Sequence, residues 1–274
     1  MTHQETTILI TGADRGIGYE IAKELYKSET TYHIFLTSIL PQDGCNAVAK
    51  IREETPPGSL DSNLTSVQLD LNSDDSIQGL SRQLPSYLDV LINNAGVGLD
   101  RKIDDSTLSI REGFNRTYDT NVTGTHILTH ALMPLLLNSR TPKLIFMCSG
   151  VSSLAETTRS GAFGPSGLYD SPPEGWPKAS VRTPAGLAYR ASKAGLNMLM
   201  RDWARVLKHD GVKVWGVSPG FLATRFADWT EDEMREMGAV DASIGGAFVK
   251  DVVEGRRDVD VGKIVKRDGT VQAW

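Results

Sequence analysis

The sequence is poor in cysteine: only Cys45 and Cys148 occur in 274 residues. Both lie inside stretches with a regular hydrophobic pattern, so no disulfide framework is implied. It also lacks a basic excess. Lys and Arg number 29 against 34 Asp and Glu, for a formal charge of −5, and the cations are scattered along the chain. That distribution argues against a phosphate-tracking surface, so neither nucleic acid nor an anionic membrane is an expected partner. Long hydrophobic runs are missing too, since the longest, around Leu132 to Leu137, falls well short of the roughly 20 residues a membrane span needs. Met1 to Thr7 carries no basic cluster leading into an apolar segment, and a cytoplasmic protein is expected. Histidines number five. His126 and His130 have the i, i+4 spacing of a zinc-binding helix, but Ile127 stands where that motif needs Glu, and no third ligand suggests itself.

What is present is an ordinary globular composition, 40% hydrophobic and 23% charged, with no low-complexity tract or repeat. Brief β-branched and apolar runs at Thr6–Ile10, Tyr32–Thr37, Thr65–Leu69, Leu88–Ile92, Lys143–Cys148 and Val212–Val217 read as strands. Segments of helical length and spacing separate them, such as Ile17–Leu25, Asn46–Glu54 and Ser73–Leu84. Strand and helix alternate throughout. This predicts right-handed β-α-β crossovers and a single Rossmann-type α/β domain over residues 1–274, a doubly wound parallel sheet with helices on both faces. One break in composition, Glu156 to Ala185, is rich in Gly, Pro and Ser and predicts a long excursion used as a lid or binding segment, with a disordered surface insertion as the alternative.

Between the first strand and first helix stands Thr11-Gly-Ala-Asp-Arg-Gly-Ile-Gly18. Glycines at 12, 16 and 18 let the backbone turn tightly and approach a pyrophosphate, whose charge the amides and dipole of the following helix stabilise. No Gly-Lys-Ser/Thr follows, which excludes a P-loop. Further on, Tyr189-Arg-Ala-Ser-Lys193 places Tyr and Lys four apart on one helical face. That spacing is weak evidence alone, because Tyr19-Glu-Ile-Ala-Lys23 repeats it in the first helix. Position separates the two: only the later pair follows the strand bearing Ser149, at the sheet edge where open α/β proteins bind ligands.

With these residues in view, the chain resembles the short-chain dehydrogenase/reductase family, which writes its glycine turn T-G-x-x-x-G-x-G. In family order follow Asn93-Asn-Ala-Gly96 after the fourth strand, Asn121 in a helix, Ser149 at the end of the fifth strand, and Y-x-x-x-K at Tyr189 and Lys193. Pro219-Gly220 with Thr224 is similar to the loop on the nicotinamide side. The resemblance implies a catalytic set of Asn121, Ser149, Tyr189 and Lys193. It also implies cofactor contacts at Gly12, Arg15, Gly16, Ile17, Gly18, Ser38, Asp70, Leu71, Asn93, Ala95, Gly96, Tyr189, Lys193, Pro219, Gly220 and Thr224. In such a site a phenol delivers a proton to the oxygen of a carbonyl that accepts hydride. An adjacent lysine cation is expected to lower the phenol from its usual value near 10. The resemblance further gives Lys193 the nicotinamide ribose hydroxyls, Ser149 the substrate oxygen and Asn121 a water on the proton path. Ser152 and Ser153 are close enough to Ser149 for the choice among them to stay open on spacing alone, and Asn121 could instead bend or cap a helix.

The second strand ends Leu36-Thr-Ser-Ile39, without the acid that NAD-selective Rossmann proteins place there. With Ser38 in that position and Arg15 in the glycine turn, NADP(H) is the expected cofactor. Asp70 closes the third strand as the expected adenine contact, with a turn-forming role as the alternative. Ser149 and Tyr189 are 40 positions apart, so an insertion occupies about 153–186. Its Glu174-Gly-Trp-Pro177 and the ending Gly262 to Trp274 resemble the monomeric carbonyl reductase subgroup, which implies a monomer acting on a small-molecule carbonyl or alcohol. The aromatic and apolar residues of the insertion and of Phe221 to Trp229 are expected to shape the substrate pocket. Two readings stay open beside a reductase: an NADP-dependent alcohol dehydrogenase running oxidatively, and a non-catalytic NADP(H)-binding sensor or scaffold. A serine hydrolase does not fit, although Gly216-Val-Ser-Pro-Gly220 matches G-x-S-x-G, because no histidine follows Ser218.

Overall fold

The computed structural model describes residues 5–59, 61–158, 168–178, 183 and 185–274. The chain opens with β1 (Thr6–Ile10), passes through the glycine turn into α1 (Gly16–Tyr26), and continues as β2 (Tyr32–Ser38), α2 (Pro41–Glu54), β3 (Asn63–Gln68) and α3 (Asp74–Ser81). It goes on through β4 (Val90–Asn93), α4 (Asp100–Asp104), α5 (Ile110–Tyr118), a π-helical turn (Asp119–Gly124), α6 (Thr125–Leu137) and β5 (Lys143–Met147). The last part comprises α7 (Leu187–Val206), β6 (Lys213–Ser218), β7 (Leu222–Ala223), α8 (Glu231–Glu236), β8 (Val240–Asp241), α9 (Ala242–Val253) and β9 (Ile264–Lys266). The main sheet has the order β3-β2-β1-β4-β5-β6-β9, parallel at every pairing, and β7 and β8 form a small separate pair.

Alternation along the strands divides the core in two. Ile8, Ile10, Ile34, Ile92 and Ile145 point to the face covered by Ile21 and Leu25 of α1 and Val249 and Val252 of α9. Leu9, Phe35, Leu91, Leu144 and Phe146 point the other way, onto Leu128 and Leu132 of α6 and Leu196 and Met200 of α7. Both faces are therefore dry, which is why these strands read as unbroken apolar runs. At about 1.5–3 kcal/mol for each fully buried aliphatic or Phe side chain, the two layers are the main force holding the sheet between its helices.

Helix boundaries follow their caps. The third helix was expected from Ser73, which instead serves as its N-cap and accepts the N–H of Ser76. The second helix starts five residues before the expected Asn46, because Pro41 at its first position is already set to a helical φ. The third strand ends at Gln68, so Asp70 lies just beyond it, where its carboxylate accepts the N–H of Asn72 at 2.9 Å in a turn leading to α3. The sheet order reverses between β1 and β4, and this opens a crevice at their carboxyl ends. Among the described residues no helix is long and apolar enough to cross a membrane.

Candidate active site

The glycine turn is held from below. Thr11 Oγ1 accepts the N–H groups of Asn94 and Ala95, each at 2.9 Å, and the Asn94 amide donates to the carbonyls of Thr11 and Gly12 at 2.8 and 2.9 Å. Thr37 Oγ1 accepts the N–H of Gly12. Gly12 and Gly16 both adopt positive φ, +58° and +59°, which side-chain-bearing residues rarely do. A Cβ at Gly12 would press on Ala95 at 3.1 Å, and one at Gly18 would meet the Gly12 carbonyl at 2.5 Å, so the turn closes only with glycine at these places. Arg15 precedes α1 in an extended conformation and gives no side-chain cap, leaving the amides of the first turn to an anion from outside. Such a cradle fits the pyrophosphate of a dinucleotide. Thr224 faces Gly16, 3.6 Å from where a Cβ there would stand, which brings the loop after β6 over the turn.

The residues expected to line the cofactor cleft differ in what they touch. Asn93 is buried and points away from the glycine turn, donating to Thr129 Oγ1 of α6 at 3.0 Å; its neighbour Asn94 makes the clamp. Ser38 is buried at the end of β2 and donates to the Leu40 carbonyl at 2.6 Å. Arg15 is exposed and paired with Asp14 at 3.0 Å. Leu71 backs onto the π-helical turn, where a Cβ on Gly124 would collide with its carbonyl. Ile17 packs partly buried against the core. Pro219 is buried, and Gly220 turns with φ +93°.

The catalytic candidates converge at the carboxyl ends of β4 and β5. Lys193 is 4% exposed, donates to the Met147 carbonyl at 2.8 Å and lies 5.8 Å from the centre of the Tyr189 ring. Gly96 separates it from Asn121: a Cβ there would stand 3.1 Å from Asn121 Oδ1 and 3.4 Å from Lys193 Nζ, so glycine keeps this space open. Asn121 sits in the π-helical turn, fully buried. Its amide nitrogen donates to the Val97 carbonyl at 2.8 Å and to Ser192 Oγ at 2.9 Å, while Oδ1 accepts the N–H of Val97 at 2.7 Å. Both amide protons are thus engaged by protein acceptors, and the side chain braces the strand-end loop against α7. Irregular turns of this kind are common at functional positions.

Of the three serines, Ser149 is the one that interacts with the Tyr189 phenol. Ser152 bonds back to the Ser149 carbonyl and to Asn197, and Ser153 donates to the Ala273 carbonyl at 2.7 Å. Burial pushes the Tyr189 phenol up to about 12, with the Ser149 hydroxyl pulling in the opposite direction. Burial also brings Lys193 down to about 8. The expected depression of the tyrosine by the lysine is therefore not the net result. Desolvation is the largest influence on both groups, and it disfavours the charged form of each. The adjacent Cys148 thiol is buried and raised to about 12, so it stays neutral.

Two neighbours, Phe226 and Tyr169, lie in segments expected to shape the pocket, whereas Gln272 escaped the sequence reading. Phe226 meets the Tyr189 ring edge-on at 5.0 Å between centroids. Gln272, from the end of the chain, donates to the Ser149 carbonyl at 3.1 Å. Tyr169 of the insertion donates to the Val151 carbonyl at 3.2 Å and carries the Arg190 guanidinium 4.7 Å above its ring. Residues 159–167, 179–182 and 184 of the insertion lie outside the described residues, and with them nearly half of the expected lid. The second Tyr/Lys pair joins two helices rather than lying free on the surface: the buried Tyr19 and half-buried Lys23 of α1 both bond Glu54 of α2, at 3.2 and 2.8 Å. A polar cleft of about 650 Å³ opens at the opposite, amino ends of the strands, lined by Thr6, Asp89, Lys143 and Glu254 among others. It contains none of the catalytic candidates.

Comparison with known proteins agrees with this geometry. The family model for the short chain dehydrogenases matches residues 6–161 and 178–235. The short-chain dehydrogenase/reductase tropE of Talaromyces stipitatus is 44% identical over 270 residues, covering 97% of each chain. The short-chain dehydrogenase/reductase eupG of a Phoma species is 41% identical over 284 residues, covering 97% of this chain and 96% of that one. Among solved structures, an NADPH-bound carbonyl reductase from chicken fatty liver superposes with a TM-score of 0.74 at 24% identity, over 99% of this chain and all of the other. The fold, the matched motifs and these relatives make the chain a member of the short-chain dehydrogenase/reductase family, an oxidoreductase of the kind that binds a nicotinamide cofactor.

Proposed function

We propose that this chain is a monomeric NADPH-dependent reductase of ketone or aldehyde carbonyls, with Tyr189 as the general acid. The observation that carries this reading is the convergence of the Tyr189 phenol, the buried Lys193 5.8 Å from its ring and the buried Asn121 at the carboxyl ends of β4 and β5, beside a glycine turn that fits a pyrophosphate; the phenol, pushed up to about 12, carries its proton at neutral pH. Ser149 beside it supplies a second hydroxyl for the substrate oxygen. Lys193, buried and near 8, remains largely protonated at neutral pH and holds positive charge behind the phenol. Asn121 and Gly96 keep the space behind the lysine formed and open. Reduced nicotinamide, when bound, supplies the hydride. The chain would hold its pyrophosphate at Gly12 to Gly18 and its nicotinamide end between Ala95, Gly96, Lys193 and the Pro219 to Thr224 loop.

Two features support NADP(H) over NAD(H). No carboxylate ends β2, where Ser38, Ile39 and Leu40 stand, and the exposed guanidinium of Arg15 can meet a 2′-phosphate on the adenosine ribose. The resemblance to the carbonyl reductase subgroup and the insertion that sets that subgroup apart point the same way. The test is a comparison of kcat/KM for NADPH and NADH across aldehydes, quinones and bulky ketones. Turnover favouring NADPH at least tenfold is expected. A preference for NADH would remove the cofactor assignment, and NADPH binding without turnover of any carbonyl would favour a non-catalytic role.

A further inference from the structure

The helix that carries Tyr189 has no cap of its own. Gly186 precedes α7 and offers no side chain, and Tyr189 is the third residue of that helix, so its backbone is set by how the first turn is held. The cap comes from far away in sequence. Asp100 Oδ1 accepts the N–H of Ala188 at 2.8 Å, and Oδ2 accepts the N–H of Tyr189 at 3.0 Å. Gly186 is what admits this carboxylate: a Cβ there would stand 2.5 Å from Asp100 Cβ, Cγ and Oδ1. The next residue, Arg101, grips the opposite wall of the site. Its guanidinium donates to the Asp228 carbonyl at 2.7 Å and lies 4.8 Å above the Trp229 ring. The same loop carries Phe226 against the Tyr189 ring. Two consecutive residues of α4 thus hold both elements that flank the phenol.

We propose that Asp100 is a positioning residue for Tyr189, fixing the first turn of α7 so that the phenol points at the reacting oxygen. The carboxylate is the group for this task, because both its oxygens accept and two adjacent N–H groups need acceptors. An asparagine would satisfy one and set its own amide protons against the other. The kinetic part of the proposal rests on Tyr189 being the acid, so the test includes a readout that does not.

The variants are Asp100→Ala, Asp100→Asn and Gly186→Ala, beside Ser109→Ala, which removes the side-chain cap of α5 away from the site. Displacing a reacting group by about an ångström can cost on the order of 100-fold. Asp100→Ala is therefore expected to lower kcat about 10- to 100-fold while KM and Kd for NADPH stay within about twofold. Asp100→Asn should fall between it and the parent, and Ser109→Ala should keep full kcat. Gly186→Ala should reproduce the loss, and the double variant Asp100→Ala with Gly186→Ala should be no worse than Asp100→Ala, since both act through one contact. Amide hydrogen exchange provides the independent readout: Ala188 and Tyr189 should lose protection in Asp100→Ala while the later turns of α7 keep theirs. Parent-like kcat in Asp100→Ala, equal losses of kcat and cofactor binding, or unchanged exchange at Ala188 and Tyr189 would each overturn the proposal. If the parent protein reduces no carbonyl, the functional reading fails, and exchange still decides whether Asp100 holds the turn.

Discussion

At the scale of single residues, burial governs the chemistry. Tyr189 and Lys193 are four apart on one helix face, yet removal from water raises one to about 12 and lowers the other to about 8. Proton delivery needs the phenol protonated and is favoured by a charged lysine behind it. The group that titrates first as pH rises is the lysine, so the loss of activity belongs to it. Reductive kcat/KM is therefore expected to be flat from about pH 6 to 7, to fall as pH passes through about 8, and to show no separate step before the phenol titrates. A profile flat to pH 10 would count against this ordering. The Tyr and Lys were legible in the sequence by position, but their environment was not. Desolvation depends on Met147, Cys148 and the turn around Asn121, which only the folded chain brings together.

Secondary-structure elements show where local pattern ends and tertiary contact begins. The strands and the glycine turn were readable because both faces of the sheet are dry and because positive φ demands glycine. Partners were harder to see. Of the two adjacent asparagines at the end of β4, Asn93 turns into α6 and Asn94 clamps the glycine turn, a choice set by strand alternation and invisible in the letters alone. Asn94→Ala leaves the carbonyls of Thr11 and Gly12 without their amide donor, at a cost of about 1–3 kcal/mol for an unsatisfied buried group. It should lower the melting temperature and weaken NADPH binding about tenfold, read by thermal denaturation and fluorescence titration. Asn93→Ala is also destabilising, yet its NADPH affinity should match the parent. Equal loss of affinity in both variants would mean that the clamp was misassigned. The cap of α7 by Asp100 was hidden for a related reason, since it joins residues 88 and 89 positions apart.

Across the whole molecule, residues far apart in sequence meet at the segment that bears Ser149. β9 is only three residues long and pairs with β6 at the sheet edge, too short to stand out in a sequence. From there the chain runs back over the Ser149 segment, where Gln272 reaches the Ser149 carbonyl and Ala155 donates to the carbonyl of Trp274 at 2.7 Å. The insertion reaches the same segment through Tyr169. As part of the proposed function, the protein should elute with the mass of one chain in size-exclusion light scattering; a tetramer would contradict the proposed monomer. The central claim is that Tyr189 gives the proton in carbonyl reduction, and the most direct test compares NADPH oxidation by the parent and Tyr189→Phe on the best substrate of the carbonyl panel. The account predicts a loss of about 10²- to 10⁴-fold in turnover, far larger than any change in NADPH affinity from losing the Tyr189 hydroxyl. Undiminished turnover in Tyr189→Phe would contradict it.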